Sequence, residues 1–198
     1  MKCILLSGLP ASGKSTVAKH LSEMFGFPIL SKDRLKEILF DNIGFDCYES
    51  KRKLDRAGTY TMYYIAEMLM SNKVPFILDN NFEKNTGREI EDLLEKYGYS
   101  AVTVMLKGDT DIFIERFNRR NQSSERHRGH AVSTRYPEGD VKEKTAVATR
   151  ESFKGYEERG MGSFCIGRSI TLDTTDLESI DYTKLFTDIN ILLEGSDS

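Results

Sequence analysis

The chain has 198 residues, 39% of them apolar and 30% charged, enough to bury the core of one domain spanning 1–198. A formal net charge of −3 argues against a dedicated duplex-binding protein, which carries a basic excess, while leaving room for a local basic cleft. Three widely spaced cysteines, Cys3, Cys47 and Cys165, with no C-x-x-C pair, argue against a disulfide framework or a zinc cluster and fit a reducing, cytoplasmic setting.

In chain order, short apolar runs alternate with longer helical patterns. Strands are expected at Cys3–Ser7, Phe27–Ser31, Phe76–Asp79, Ala101–Leu106 and Ser169–Leu172. They are nearly continuous in Ile, Leu and Val, as strands covered on both faces are. Helices are expected at Lys14–Met24, Asp33–Asn42, Ser50–Ser71, Thr86–Lys96, Asp109–Asn121, Asp140–Arg159 and Tyr182–Glu194. This alternation predicts an α/β fold, a parallel sheet layered between helices. Gln122–Gly139 is polar and aperiodic, the pattern of a functional loop, and 195–198 reads as a frayed tail. The N-terminal apolar run is too short for a signal-peptide core, and no run approaches the ~18 apolar residues that cross a membrane.

The first strand runs straight into Gly8-Leu9-Pro10-Ala11-Ser12-Gly13-Lys14-Ser15, which fits G-x-x-x-x-G-K-[ST] and opens an amphipathic helix. The glycines let successive backbone N–H groups turn into one concavity, and the helix N-terminus adds positive potential. Gly8, Pro10, Ala11, Ser12, Gly13, Lys14, Ser15 and Thr16 are therefore expected to cradle a nucleotide. Lys14 would reach the β- and γ-phosphates and the Ser15 hydroxyl would ligate Mg²⁺. Asp79, ending an apolar strand, is the expected second magnesium contact, although Asp79-Asn80-Asn81 is also good turn chemistry. Asp33 opens the second helix; it either accepts a proton from an attacking hydroxyl or, like Ser31, caps the helix.

Advancing 100° per residue places Arg116, Arg119 and Arg120 with Ile112 and Phe113, and Asp111, Glu115 and Asn118 on the polar face. Arginines on an apolar stripe either enter a cleft or snorkel. His127 and His130, three apart without a cysteine or carboxylate at ligand spacing, do not make a metal site. Of Phe45, Tyr48, Tyr60, Tyr63 and Tyr64, most are expected in the core, with one or two lining an acceptor pocket.

GLPASGKST, then Phe27-Pro28-Ile29-Leu30-Ser31-Lys32-Asp33-Arg34-Leu35, then Ile77-Leu78-Asp79-Asn80-Asn81, resemble P-loop kinases of the polynucleotide kinase, zeta-toxin and chloramphenicol phosphotransferase type, with an AAA-type assignment expected. Arg126-His127-Arg128-Gly129-His130 resembles the Arg-His-Pro-Gly-His stretch of uncharacterised kinases in that group, with Arg128 in place of proline. The resemblance implies a three-layer α/β/α P-loop fold, a five-stranded parallel sheet of order 2-3-1-4-5 and a mobile lid over about 116–139. It implies transfer of the γ-phosphoryl of ATP, or GTP, to a hydroxyl, with Asp33 as general base. Arg120 and Arg126 are the implied lid arginines on the phosphates, with Arg116 near the base or packing, and Thr174 either beside the base or in an ordinary capping turn. Arg34, Lys36, Asn81 and His130 are the implied substrate contacts. A small-molecule hydroxyl is the favoured acceptor over a polynucleotide 5′-end, because the chain is acidic and short. The protein is expected as a monomer or homodimer.

Two other readings stay open. A GTPase-type switch could use the D-x-x-G runs at Asp41 and Asp55, but both fall in helical stretches and no N-K-x-D motif is present. A nucleic-acid-end-binding module would keep the fold without catalysis.

Overall fold

The first apolar run forms β1 (Lys2–Gly8), and its side chains alternate between two apolar layers. Ile4 and Leu6 pack with Val17, Ala18 and Leu21 of α1 (Lys14–Phe25) and with Leu185, Ile189 and Leu193 of α8 (Tyr182–Glu194). Cys3 and Leu5 pack on the other side with Met62, Ala66 and Met70 of α3 (Tyr48–Ser71) and with Ile90 and Leu94 of α4 (Arg88–Tyr97). All four β1 side chains are fully buried, each contributing about 1.5–3 kcal/mol if an isolated Leu or Ile is the guide.

The chain is a computed structural model describing residues 1–83, 87–124 and 126–195. Its remaining elements are β2 (Ile29–Ser31), α2 (Lys32–Ile43), β3 (Phe76–Asp79), β4 (Ser100–Lys107), α5 (Thr110–Gln122), α6 (Arg128–Ala131), α7 (Arg150–Glu158) and β5 (Arg168–Asp173). Among the described residues the strands form one five-stranded sheet, order β2-β3-β1-β4-β5, with every pairing parallel. This is the P-loop three-layer fold. The register sets Leu6 beside Asp79 and Ser31 beside Asp79, so β2 and β3 end level while β1 runs two residues further, to Gly8, at the same edge of the sheet. That carboxyl edge is where an open parallel sheet offers its ligand crevice.

Several elements differ from the sequence expectation. The helix expected over Asp140–Arg159 forms only from Arg150, behind a Thr149–Ser152 capping box. Before it, Glu143 accepts hydrogen bonds from the backbone and hydroxyls of Ser133 and Thr134, and Asn118 clamps both backbone groups of Ala148. Val141 and Val147 are exposed and supply no apolar stripe to hold a helix there. The Asn118 clamp also corrects its expected place on the polar face of α5. The buried stripe of α5 runs through Phe113, Ile114 and Phe117, because α7 covers it with Phe153.

Tyr48, Tyr60 and Tyr64 are exposed, against the expectation of core positions, whereas Phe45 and Tyr63 are buried. The buried face of α3 repeats instead through Leu54, Gly58, Met62, Ala66 and Met70. The expected helix start at Thr86 and the tail at 196–198 lie outside the described residues.

The polar stretch 122–139 carries α6 and docks on α2. Phe40, Phe45, Leu54 and Val132 form a small core of their own. Lys51 donates to the carbonyls of His130 and Val132, and Arg128 binds Glu138 through two nitrogens, each at 2.7 Å.

Candidate active site

The P-loop begins where β1 ends. Gly8 is held tight: a Cβ there would meet Ser12 Oγ at 2.4 Å and Leu106 at 3.1 Å. Gly13 sits at φ +92°, in the left-handed region that glycine alone adopts freely, and a Cβ there would strike Leu177 at 2.6 Å. Gly13 caps α1 with no side-chain hydrogen bond, so the first-turn amides of α1 are not claimed by a cap. This is the construction of an anion nest.

A cleft of about 190 Å³ opens on the loop, lined by Pro10, Ala11, Gly13, Lys14, Ser15 and Thr16 on one side. Ser31, Lys32, Asp33, Asp79, Asn80, Asn81, Arg116, Arg120 and Leu177 complete it. Lys14 is buried and donates to the carbonyls of Gly8 (3.0 Å) and Leu9 (2.7 Å). Burial pushes its pKa down to about 8, while Asp79 and Asp33 pull it back up.

Ser15 Oγ donates to Asp79 Oδ2 at 2.8 Å, and Ser31 Oγ lies 3.5 Å from the same oxygen. Burial raises the Asp79 carboxyl above its usual range, opposed by Lys14 and the Ser15 hydrogen bond. A hydroxyl and a carboxylate converging beside a phosphate nest are hard oxygen donors that suit Mg²⁺, which takes one or two protein oxygens and completes its shell with phosphates and water. Groups of three or more His, Cys, Asp or Glu at ligand spacing are absent among the described residues.

Asp33 stands in the first turn of α2, where the helix dipole favours its charged form. Ser31 is the N-cap residue but makes no side-chain cap bond; its hydroxyl turns to Asp79 instead. Burial pushes the Asp33 carboxyl up, but His130, Lys36, Arg126 and Arg120 together outweigh it and hold the pKa below the ordinary value. The His130 imidazole is itself pushed down, chiefly by burial, while its hydrogen bond to Glu37 and the Asp33 carboxylate pull it back up.

Asp33 is also the wall between cavities. With Lys32, Asn80 and Asn81 it lines a second space of about 460 Å³, bounded further by Lys36, Asp55, Thr59, Tyr60 and Tyr63. On its third side a space of about 400 Å³ contains Arg34, Glu37, Arg120 and Arg126. The second space is walled largely by polar and charged side chains. Its walls are the N-terminal turn of α2, the Arg52–Tyr63 flank of α3, the segment after β3 and Glu89, with Tyr60, Tyr63 and Met161 as its apolar surface.

The structure brings together Lys14, Ser15, Asp33, Asp79, Asn81, Arg116 and Arg120 around one cleft, with Lys36 3.8 Å from Asp33. Arg126 approaches from the 400 Å³ side, and its Nε is buried without a partner among the described residues. Other candidates fall elsewhere. Gly8 and Ser12 shape the loop from behind rather than line the cleft. Thr174 is fully buried with its hydroxyl on the Lys107 carbonyl. Arg34 points to solvent and pairs with Glu37 at 2.6 Å. The His130 ring is buried and shares a hydrogen with Glu37 across 3.2 Å, lining none of the three spaces. Arg119 lies in solvent 3.7 Å from Glu115. Arg116 donates to the carbonyls of Thr174 and Thr175, both at 2.6 Å, and so fixes the loop after β5.

Four residues that line the cleft were missed as contacts: Ser31, expected only as a cap, Lys32, Asn80 and Leu177. Leu177 is an isolated apolar residue in a polar loop, and that isolation was its only signal. Lys32 reads as an ordinary helix charge, but it lines both the 190 Å³ cleft and the 460 Å³ space.

A family model described as an AAA domain matches residues 3–139, and the chain belongs to that family. Among solved structures it is similar to a "putative kinase" from Chloroflexus aurantiacus J-10-fl, at 24% identity and TM-score 0.79, covering 97% of this chain and 98% of that one. A sugar kinase from Janibacter sp. HTCC2649 aligns at 13% identity and TM-score 0.57, over 98% and 95% of the two chains. A gluconokinase from Sinorhizobium meliloti 1021 aligns at 14% identity and TM-score 0.55, over 98% and 94%. These likenesses establish the P-loop kinase fold. No curated protein matches the chain. No described helix is long and apolar enough to cross a membrane.

Proposed function

We propose that the chain is a single-domain, ATP-dependent kinase that phosphorylates a hydroxyl of a small polyhydroxylated molecule. The observation that carries this reading is Asp33: one carboxylate lines both the P-loop cleft and the 460 Å³ space beside it. A group in that position can face the γ-phosphate from one side and an acceptor hydroxyl from the other.

In this reading the P-loop amides and Lys14 hold the triphosphate. Ser15 and Asp79 would hold Mg²⁺, which when bound would supply positive charge against the phosphates. The acceptor oxygen forms a bond to the γ-phosphorus as the bond from that phosphorus to the bridging β-phosphate oxygen breaks. ADP departs, and the hydroxyl proton goes to Asp33. Because Asp33 has a lowered pKa, it is a weak base that is always ionised at neutral pH. That suits a loose transition state, in which positioning matters more than early proton removal. Arg120 and Arg126 face the developing charge, and Arg116 holds the loop that carries Leu177 against Gly13.

Two of the structures it resembles are described as a sugar kinase and a gluconokinase, which supports a small polyhydroxylated acceptor over a polynucleotide end. The GTPase-type reading lacks support, since its two D-x-x-G runs fall at the end of α2 and within α3 rather than after β3. The test is phosphoryl transfer from γ-labelled ATP across a panel of polyols, sugars, sugar acids and oligonucleotides. Transfer to a small polyol class that disappears in Asp33→Asn supports the reading. ATP binding with no transfer to any small hydroxyl compound defeats it.

A further inference from the structure

The second space holds four cationic side chains, and their pairing is uneven. Lys36 Nζ lies 2.6 Å from Asp55 and Lys32 Nζ lies 3.5 Å from it, so one carboxylate on α3 occupies both lysines. Arg52 and Arg56 also line the space, one helical turn apart on α3, and neither has an ion pair or hydrogen bond among the described residues. Both are exposed to solvent; like charges at this spacing repel weakly, and an anion bound by both would relieve that repulsion.

Asp33, Glu83 and Glu89 are the other carboxylates of the space. Glu83 pairs with Arg159 at 3.1 Å. Glu89 lies by Tyr63, whose hydroxyl is held far above its usual pKa by burial and by that carboxylate. Tyr63 is seven positions beyond Arg56 on the helix, about 10 Å along its axis.

A second observation concerns uncharged groups. Asn80 is only 4% exposed and its Oδ1 has no hydrogen-bond partner among the described residues; the buried Oδ1 of Asn81 also lacks one there. Both residues line the space. Buried amide oxygens without donors are uncommon in folded proteins and mark places where a donor binds. Hydroxyl groups supply such donors, and Thr59 and the half-exposed ring of Tyr60 complete a polar wall.

We infer that the acceptor site is built for a polyhydroxylated small molecule that bears an anionic group, with Arg52 and Arg56 gripping the anion and Asn80 and Asn81 accepting hydrogen bonds from its hydroxyls. The inference rests on the kinase reading for the transfer step, but not for binding. A carboxylate and a phosphate ester both fit the planar donor fork of arginine.

The experiment is calorimetric titration of the whole chain, with magnesium and a non-hydrolysable ATP analogue present, by three matched probes: a neutral alditol, the corresponding aldonate and the corresponding aldose phosphate. The expected result is saturable binding of one or both anions and weaker binding of the alditol by about tenfold or more. Arg52→Gln and Arg56→Gln should each weaken the anion by about tenfold while leaving the alditol and the nucleotide analogue unchanged. Asn81→Ala should weaken all three probes alike. The stronger anion identifies carboxylate or phosphate as the group recognised.

Equal binding of alditol and anions overturns the inference, as does anion binding indifferent to both arginine variants. Binding of a 5′-hydroxyl oligonucleotide alone, falling steeply with salt, replaces it with a nucleic-acid acceptor. The kinase reading fails on a different observation, the absence of ATP-dependent phosphorylation of whichever probe binds.

Discussion

Ser15 and Asp79, 64 positions apart in sequence, meet through a 2.8 Å hydrogen bond at the mouth of the sheet. The hydroxyl comes from the first turn of α1 and the carboxylate from the last residue of β3, so both are fixed by regular backbone. Asp79→Asn should raise the magnesium concentration needed for half-maximal activity by about tenfold or more, and Ser15→Ala should act in the same direction. A magnesium titration of ATP turnover checks both, and an unchanged midpoint in Asp79→Asn would remove it from the metal site.

Asp33→Asn should lower transfer by about 10²–10⁴-fold while ATP affinity changes little, because the amide keeps the shape but cannot take the proton. In the parent protein the acid limb of the rate profile should lie below the ordinary carboxylate range. Burial raises this carboxyl, but its basic neighbours lower it further. A rate limb near neutrality would point to another base.

Lys14 carries a pKa of about 8 in the free protein, set by burial. A bound triphosphate favours the charged ammonium, so nucleotide binding should draw in protons. At pH 8 the uptake should be about half a proton, and affinity should fall as pH rises through that value. Calorimetry in buffers of different ionisation enthalpy measures the uptake, which should vanish in Lys14→Met.

Arg116→Ala removes two charged hydrogen bonds to the loop after β5. The expected loss is about 1.5–3 kcal/mol, or roughly 5 °C in thermal midpoint for a chain of this size. Nucleotide affinity should drop as well, since Leu177 on that loop loses its fixed place. A drop in midpoint with unaltered nucleotide affinity would separate the loop from the cleft.

The sequence carried the sheet well because β1, β3 and β4 are buried on both faces and their apolar runs have few other uses. The P-loop was legible for a stronger reason: glycine at Gly13 and lysine at Lys14 answer local backbone and charge demands that few other residues meet. Asp33 and Asp79 were legible as strand-end acids, although only the structure shows that Ser31 does not cap α2 and that its hydroxyl faces Asp79. What escaped depended on contacts between distant segments. No local pattern marks Leu177 as the neighbour of Gly13, or Asn118 as the partner of Ala148. Helical periodicity placed Arg119 and Arg120 on one side of α5, yet a difference of one position puts one in solvent and the other in the cleft. The expected helix over Asp140–Arg159 failed because Ser133 and Thr134 compete for Glu143, and such competition cannot be read from helix propensity.

The packing of Phe40 has a mechanical consequence. The ring is wholly buried between Phe45 and Leu54 on one hand and Gly129, Val132 and Tyr136 on the other, and sits edge-on to Phe45 and His130. It lies on the same rod as Asp33, about 10 Å further along the axis. A stiff cylinder gripped near one end moves as a lever, so any displacement of that enclosure would swing the carboxylate at the other end relative to the phosphates.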